Sequence, residues 1–193
     1  LQVPMPPYLP DTAVAQRDVR QVYSNIVAMD EQVGQVLEEL EQDGLLERTV
    51  IFWYSDHGGP LPRQKRALYD AGLKVPMIIR YPDKWRAGEL DDQLISFVDF
   101  KSTALSLAGI EPPEYVDGRA FAGEFQSSES RQYIHAAADR FDRQYDTIRA
   151  VRDERFKYLR NYYPERGYYL PLTYREQMPI MQELLSLKDQ DAL

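Results

Sequence analysis

Asp56 and His57 stand one residue, Ser55, beyond the apolar run Val50-Ile51-Phe52-Trp53-Tyr54 and precede Gly58-Gly59. A carboxylate beside an imidazole at the end of such a run is a candidate pair of ligands for a divalent cation, and the two glycines let a ligand approach the backbone closely. An Asx-type turn that closes a strand, with His57 bonded nearby, would produce the same residues. Lys65 stands nine residues beyond Asp56, in a basic stretch with Arg63 and Arg66. Its ammonium could reach an anionic oxygen or protonate a leaving group. A solvated basic loop is the competing reading, favoured for Arg63 and left open for Arg66. A third cluster, His135, Asp139, Arg140, Asp142 and Arg143, carries both charges. Alternation along a strand that continued so far would put Asp139 and Arg143 on one side.

The elements that must hold these groups follow from pattern. The run at 49–54 is short, β-branched and aromatic, as in a buried strand, and ligands collect at the carboxyl ends of strands in α/β folds. Before it, Val19, Val22, Ile26, Met29, Val33, Val36, Leu37 and Leu40 make one helical stripe. Asp11-Thr12 offers the cap and Gly44 the stop. Residues 75–81 form a second strand opened by Pro76. Asp99 can cap a helix over 100–108 that ends at Gly109. Beyond Pro112-Pro113, stretches 133–138, 147–152 and 155–159 read as short antiparallel strands, with a two-residue turn at Asp153-Glu154. Residues 174–187 are weakly helical.

The chain has 193 residues, a net charge of −8, 12% aromatic residues and no cysteine. The acidity disfavours a general nucleic-acid binder, and an anionic substrate would need a local basic cluster to draw it in. Disulfides, thiolate metal sites and a cysteine nucleophile are excluded within the chain. No apolar run reaches membrane-spanning length, and the start Leu1-Gln2-Val3-Pro4-Met5 has neither an initiator Met nor the regions of a signal peptide, so the chain is expected to be an excised piece of a longer one.

Several motifs together resemble the type I sulfatases. They are Tyr23-x-x-Ile26-x-x-Met29-Asp30-x-x-Val33-Gly34-x-Val36-Leu37, then Thr49 to Gly58, then Lys65-x-x-Leu68-Tyr69-x-x-Gly72-x-x-Val75-Pro76-Met77-Ile78-Ile79. Val98-Asp99 through Ala108-Gly109-Ile110 and Asp117-Gly118-Arg119 continue the likeness. The Lys157 to Asn161 segment is similar to the bacterial branch related to heparan N-sulfatase.

The resemblance implies an α/β fold: the C-terminal part of an alkaline-phosphatase-like sandwich over 1–119 and a small antiparallel subdomain over 120–193. It implies a sulfuric ester hydrolase acting on sulfate esters or N-sulfates of a glycan, in the periplasm or outside the cell. It also implies a calcium ion and a formylglycine nucleophile made in a Cys/Ser-x-Pro-x-Arg motif. Neither that motif nor the first aspartate pair of the family occurs here, so the N-terminal half is the expected partner and this chain alone is expected to be inactive. The site residues implied are Asp56 and His57 for metal, His57 and Lys65 for catalysis, and Lys65, Asp139 and Arg140 for substrate. His57 stands where many sulfatases carry Asn, and imidazole suits zinc or manganese better than calcium, which leaves the metal open. His135 is expected to be structural. A phosphodiesterase or phosphonate hydrolase of the same superfamily, and a non-catalytic glycan-binding module, are the alternatives.

Overall fold

A computed structural model describes residues 2–167, 169 and 171–192, without the side chain of Phe141. Its packing forms two compact units: residues 1–88 with 140–145 and 165–193, and residues 89–139 with 146–164.

The first unit opens with α1 (Ala13–Gln42). Thr12 is its cap, and the Oγ1 of Thr12 accepts from the Ala15 amide at 3.2 Å. At the other end Gly44 adopts φ 67°, while the Gly44 and Leu45 amides donate to the Glu41 and Leu40 carbonyls. This is the left-handed closure a glycine makes without steric cost. The apolar stripe exists as read, but only Ala15 and Val19 on α1 are buried, and Ile26, Met29 and Val36 are exposed.

β1 (Ile51–Tyr54) pairs antiparallel with β2 (Met77–Arg80), Ile51 opposite Arg80 and Tyr54 opposite Met77. The expectation of a buried β1 is corrected: its residues are half-buried and Tyr54 is exposed. Its one strand neighbour among the described residues is β2, so the ribbon has too few layers to bury both faces. The short α2 (Asp70–Leu73) lies between the two strands in sequence.

The chain re-enters this unit as α4 (Thr173–Glu176) and α5 (Pro179–Asp189). Pro179 starts α5, where its missing N–H costs nothing. α5 docks on the start of α1: Asp18 Oδ2 accepts from the Ile180 amide at 2.8 Å, and Thr12 Oγ1 donates to Glu183 Oε2 at 2.6 Å. Leu9, Ala15, Val19, Leu61 and Ile180 form the core beneath, so the loop that bears Lys65 is anchored in it through Leu61.

The second unit contains α3 (Asp99–Leu107) and most of a sheet ordered β3 (Ile134–Phe141), β4 (Gln144–Arg152), β5 (Lys157–Asn161). Along β4 the residues Asp146, Ile148 and Ala150 are buried in alternation, the period of a strand with one covered face. Two local readings are corrected. Asp99 does not cap α3; its buried carboxylate accepts from the Ser96 and Arg119 amides and pairs with Arg131. The turn from β4 to β5 spans 153–156: Asp153 N–H donates to the Phe156 carbonyl, and Asp153 Oδ1 accepts from the Arg155 and Phe156 amides. Those amide bonds hold the Asp153 carboxyl below its usual range.

Candidate active site

The end of β1 turns sharply through residues 55–59. Ser55 Oγ donates to the His57 carbonyl at 2.6 Å, and Gly58 N–H donates to the Gly72 carbonyl at 3.1 Å. A Cβ on Gly58 would lie 1.8 Å from the Ala71 carbonyl oxygen. Gly58 is therefore required by backbone packing against α2, rather than by the close approach of a ligand.

This turn presents Asp56 and His57 side by side. Asp56 is 81% exposed and His57 39%, with His57 Nε2 and Asp56 Oδ1 3.4 Å apart. His57 Nδ1 lies 2.8 Å from the Gly58 carbonyl oxygen, which can only accept, so Nδ1 carries a proton. Nε2 of a neutral ring is then a lone pair facing a carboxylate. An imidazole nitrogen and a carboxylate oxygen so placed can both ligate one divalent cation. A backbone carbonyl that fixes the tautomer from behind is also how ligating histidines are oriented. The pair thus fits half of a metal site. Among the described residues no three His, Asp or Glu side chains gather as a complete one.

Lys65 is folded back toward this turn. Its N–H donates to the Gly59 carbonyl at 2.9 Å, its carbonyl accepts from Arg175, and its Nζ lies 5.4 Å from the centre of the Tyr174 ring. Its neighbours are engaged otherwise. The Arg63 guanidinium sits 5.1 Å from the Tyr8 ring and 4.7 Å from the Tyr69 ring. Arg66 Nη1 pairs with Asp142 Oδ1 at 2.9 Å.

Asp142 also accepts from the Thr173 amide at 2.7 Å. That bond and the Arg66 guanidinium hold its carboxyl down to about 2. Arg140 joins the same cluster: its Nε donates to the Asp142 carbonyl and its guanidinium covers the Tyr145 ring at 5.2 Å. Arg143 lies in the turn after β3 ends at Phe141, so it does not share a strand face with Asp139. Asp139 belongs to the second unit and pairs with Arg149 at 2.6 Å. His135 is exposed there and lines a polar groove with Arg119, Arg131 and Tyr133. Arg175 and Tyr174 escaped the sequence reading, because a contact across 110 residues leaves no local signal.

The family model for sulfatases matches residues 5–110, and that for the C-terminal part of N-sulphoglucosamine sulphohydrolase matches residues 63–185. An ulvan-active sulfatase of Formosa agariphila is 61% identical over 189 residues, covering 98% of this chain and 32% of the relative. Human N-sulphoglucosamine sulphohydrolase is 32% identical over 118 residues, covering 60% of this chain and 23% of its own length. A solved structure, in complex with its substrate D-glucosamine-2-N,6-O-disulfate, superposes with a TM-score of 0.65 at 23% identity, over 96% of this chain and 41% of the other. The chain spans about a third of the length of the first of these relatives. With matching motifs on both sides of the Asp-His turn, and two family models that together run from residue 5 to residue 185, the chain belongs to the sulfatase family.

Proposed function

We propose that this chain is part of a sulfatase that removes sulfate from a sulfated glycan, and that Asp56, His57 and Lys65 contribute to its active centre. The observation that carries the reading is the turn after β1. There Asp56 and His57 stand 3.4 Å apart, and the Lys65 backbone is tied to Gly59 of the same turn.

A sulfuryl group in transfer carries negative charge on its oxygens, and catalysis consists largely of neutralising it. Asp56 and the Nε2 of His57 would hold a divalent cation, which supplies that neutralisation when bound. Calcium is the family's ion, with zinc or manganese as the alternatives that the imidazole suits. Lys65 binds a sulfuryl oxygen or hands a proton to the departing oxygen. Arg140, and Asp139 in the second unit, would contact the glycan. The formylglycine nucleophile and the other ligands belong to the portion of the enzyme outside this chain, its partner in the site. The same proposal includes a domain boundary near residue 120 and a periplasmic or secreted location; no helix among the described residues is long and apolar enough to cross a membrane.

The relative at 61% identity is ulvan-active by name, so sulfated ulvan oligosaccharides are the first substrates to offer. The test is sulfate release by the purified full-length enzyme, beside an aryl phosphodiester and an aryl phosphonate ester. Sulfate release that outpaces phosphoryl cleavage is expected. Phosphoryl cleavage without sulfate release would overturn the reading in favour of a phosphoryl hydrolase.

A further inference from the structure

Arg175 is 6% exposed, yet it pairs with no carboxylate among the described residues. Its Nη2 donates to the Lys65 carbonyl and lies 3.4 Å from the Tyr174 hydroxyl; its Nε is buried without a partner among the described residues. Burying a guanidinium that is only partly bonded is a costly way to anchor a four-residue helix, and such groups call for an explanation beyond stability. The position of Lys65 supplies one. The Lys65 peptide is held from both sides, its N–H by Gly59 and its carbonyl by Arg175. Tyr174 then serves both cations: its ring centre lies 5.4 Å from Lys65 Nζ and 5.9 Å from Arg175 Cζ. A ring face attracts each cation, and two like charges gathered at one ring favour an anion beside them.

We propose that Arg175 is a positioning residue for Lys65: by gripping the Lys65 carbonyl and sharing the Tyr174 ring, it holds the ammonium where a sulfuryl oxygen will lie. This rests on the reading of Lys65 as part of the sulfatase site. Arg175 itself touches no substrate. Its effect on turnover passes through Lys65 and vanishes when the ammonium is gone.

The experiment is a double-mutant cycle in the full-length enzyme with Lys65→Ala, Arg175→Met and both together, reading kcat/KM for sulfate release and the melting temperature of each. Arg175→Met is expected to lower kcat/KM by about tenfold or more, toward the roughly 10²-fold that a misplacement of about 1 Å costs. In the Lys65→Ala background it should change kcat/KM by less than about twofold, although the loss in melting temperature persists in both. If Arg175→Met does not fold, Arg175→Lys carries the same test, because it keeps a buried cation but loses the guanidinium fork that reaches the Lys65 carbonyl. An equal fold-loss in both backgrounds, or none in the wild type, overturns the role of Arg175 and leaves Lys65 standing. A Lys65→Ala enzyme with undiminished turnover overturns the assignment of Lys65, and the role of Arg175 with it.

Discussion

Arg66 Nη1 and Asp142 Oδ1 lie 2.9 Å apart and tie the loop that carries Lys65 to the turn between β3 and β4. The pair explains why two basic residues in one loop differ in use. Arg66 is engaged in holding the loop, whereas the Lys65 ammonium lies over the Tyr174 ring.

Asp142 predicts an acid-sensitive contact. Its carboxyl titrates at about 2 in the fold, against 3.8 ordinarily. A lowered folded value means that the stabilisation is present above pH 3.8 and is lost as pH falls through about 2. Asp142→Asn should therefore destabilise the protein at pH 6, and the gap from wild type should narrow below pH 4. Thermal unfolding of both proteins across that range measures it.

Lys65 and Arg63 should separate turnover from stability. Lys65→Ala in the full-length enzyme should lower kcat/KM by about 10²-fold or more, the scale of removing one group aimed at charge that develops in the transition state. Arg63→Ala should change kcat/KM little and cost about 0.5–1 kcal/mol of stability, the worth of exposed cation–π contacts such as those with Tyr8 and Tyr69. Steady-state kinetics with unfolding curves of both variants check it.

Gly58→Ala should lose both stability and turnover, because the added methyl collides with the Ala71 carbonyl and displaces the turn that presents His57. Comparing the melting temperature and kcat/KM of this variant with those of Gly34→Ala, whose Cβ would meet nothing within 4 Å, gives the control.

The second unit rests on a buried ion pair. Asp99 is 2% exposed, and Arg131 is the cation beside it. Arg131→Ala leaves that carboxylate buried without its countercharge and should cost about 3–5 kcal/mol. Denaturant unfolding of the full-length protein should show the loss, with Arg131→Lys recovering only part of it because a single ammonium cannot replace both guanidinium contacts.

What could be read in advance was what short-range chemistry decides. Thr12 and Gly44 bound α1 because caps act within a turn of the chain, and residues 49–54 and 75–81 announce strands by side-chain type. The Asp-His turn was legible as residue types, but the reason for Gly58 was not: its constraint is the Ala71 carbonyl, 13 residues away. Asp99 misled for a related reason. An aspartate ahead of a helix reads as a cap, whereas here the Arg131 guanidinium and the Arg119 amide claim its oxygens from 32 and 20 residues away. Arg175 was invisible, since nothing in Tyr174-Arg175-Glu176 says that it reaches Lys65.

In the proposed site, Asp56 and His57 share a divalent cation needed for turnover. The direct measurement is metal content by elemental analysis, together with sulfate release, for full-length wild type and Asp56→Ala. Wild type should carry a stoichiometric divalent metal. Asp56→Ala should lose both the metal and sulfate release, because it removes a charged oxygen ligand from the site. Wild-type metal content in Asp56→Ala, or full sulfate release without the metal, would show that Asp56 and His57 hold no metal needed for turnover.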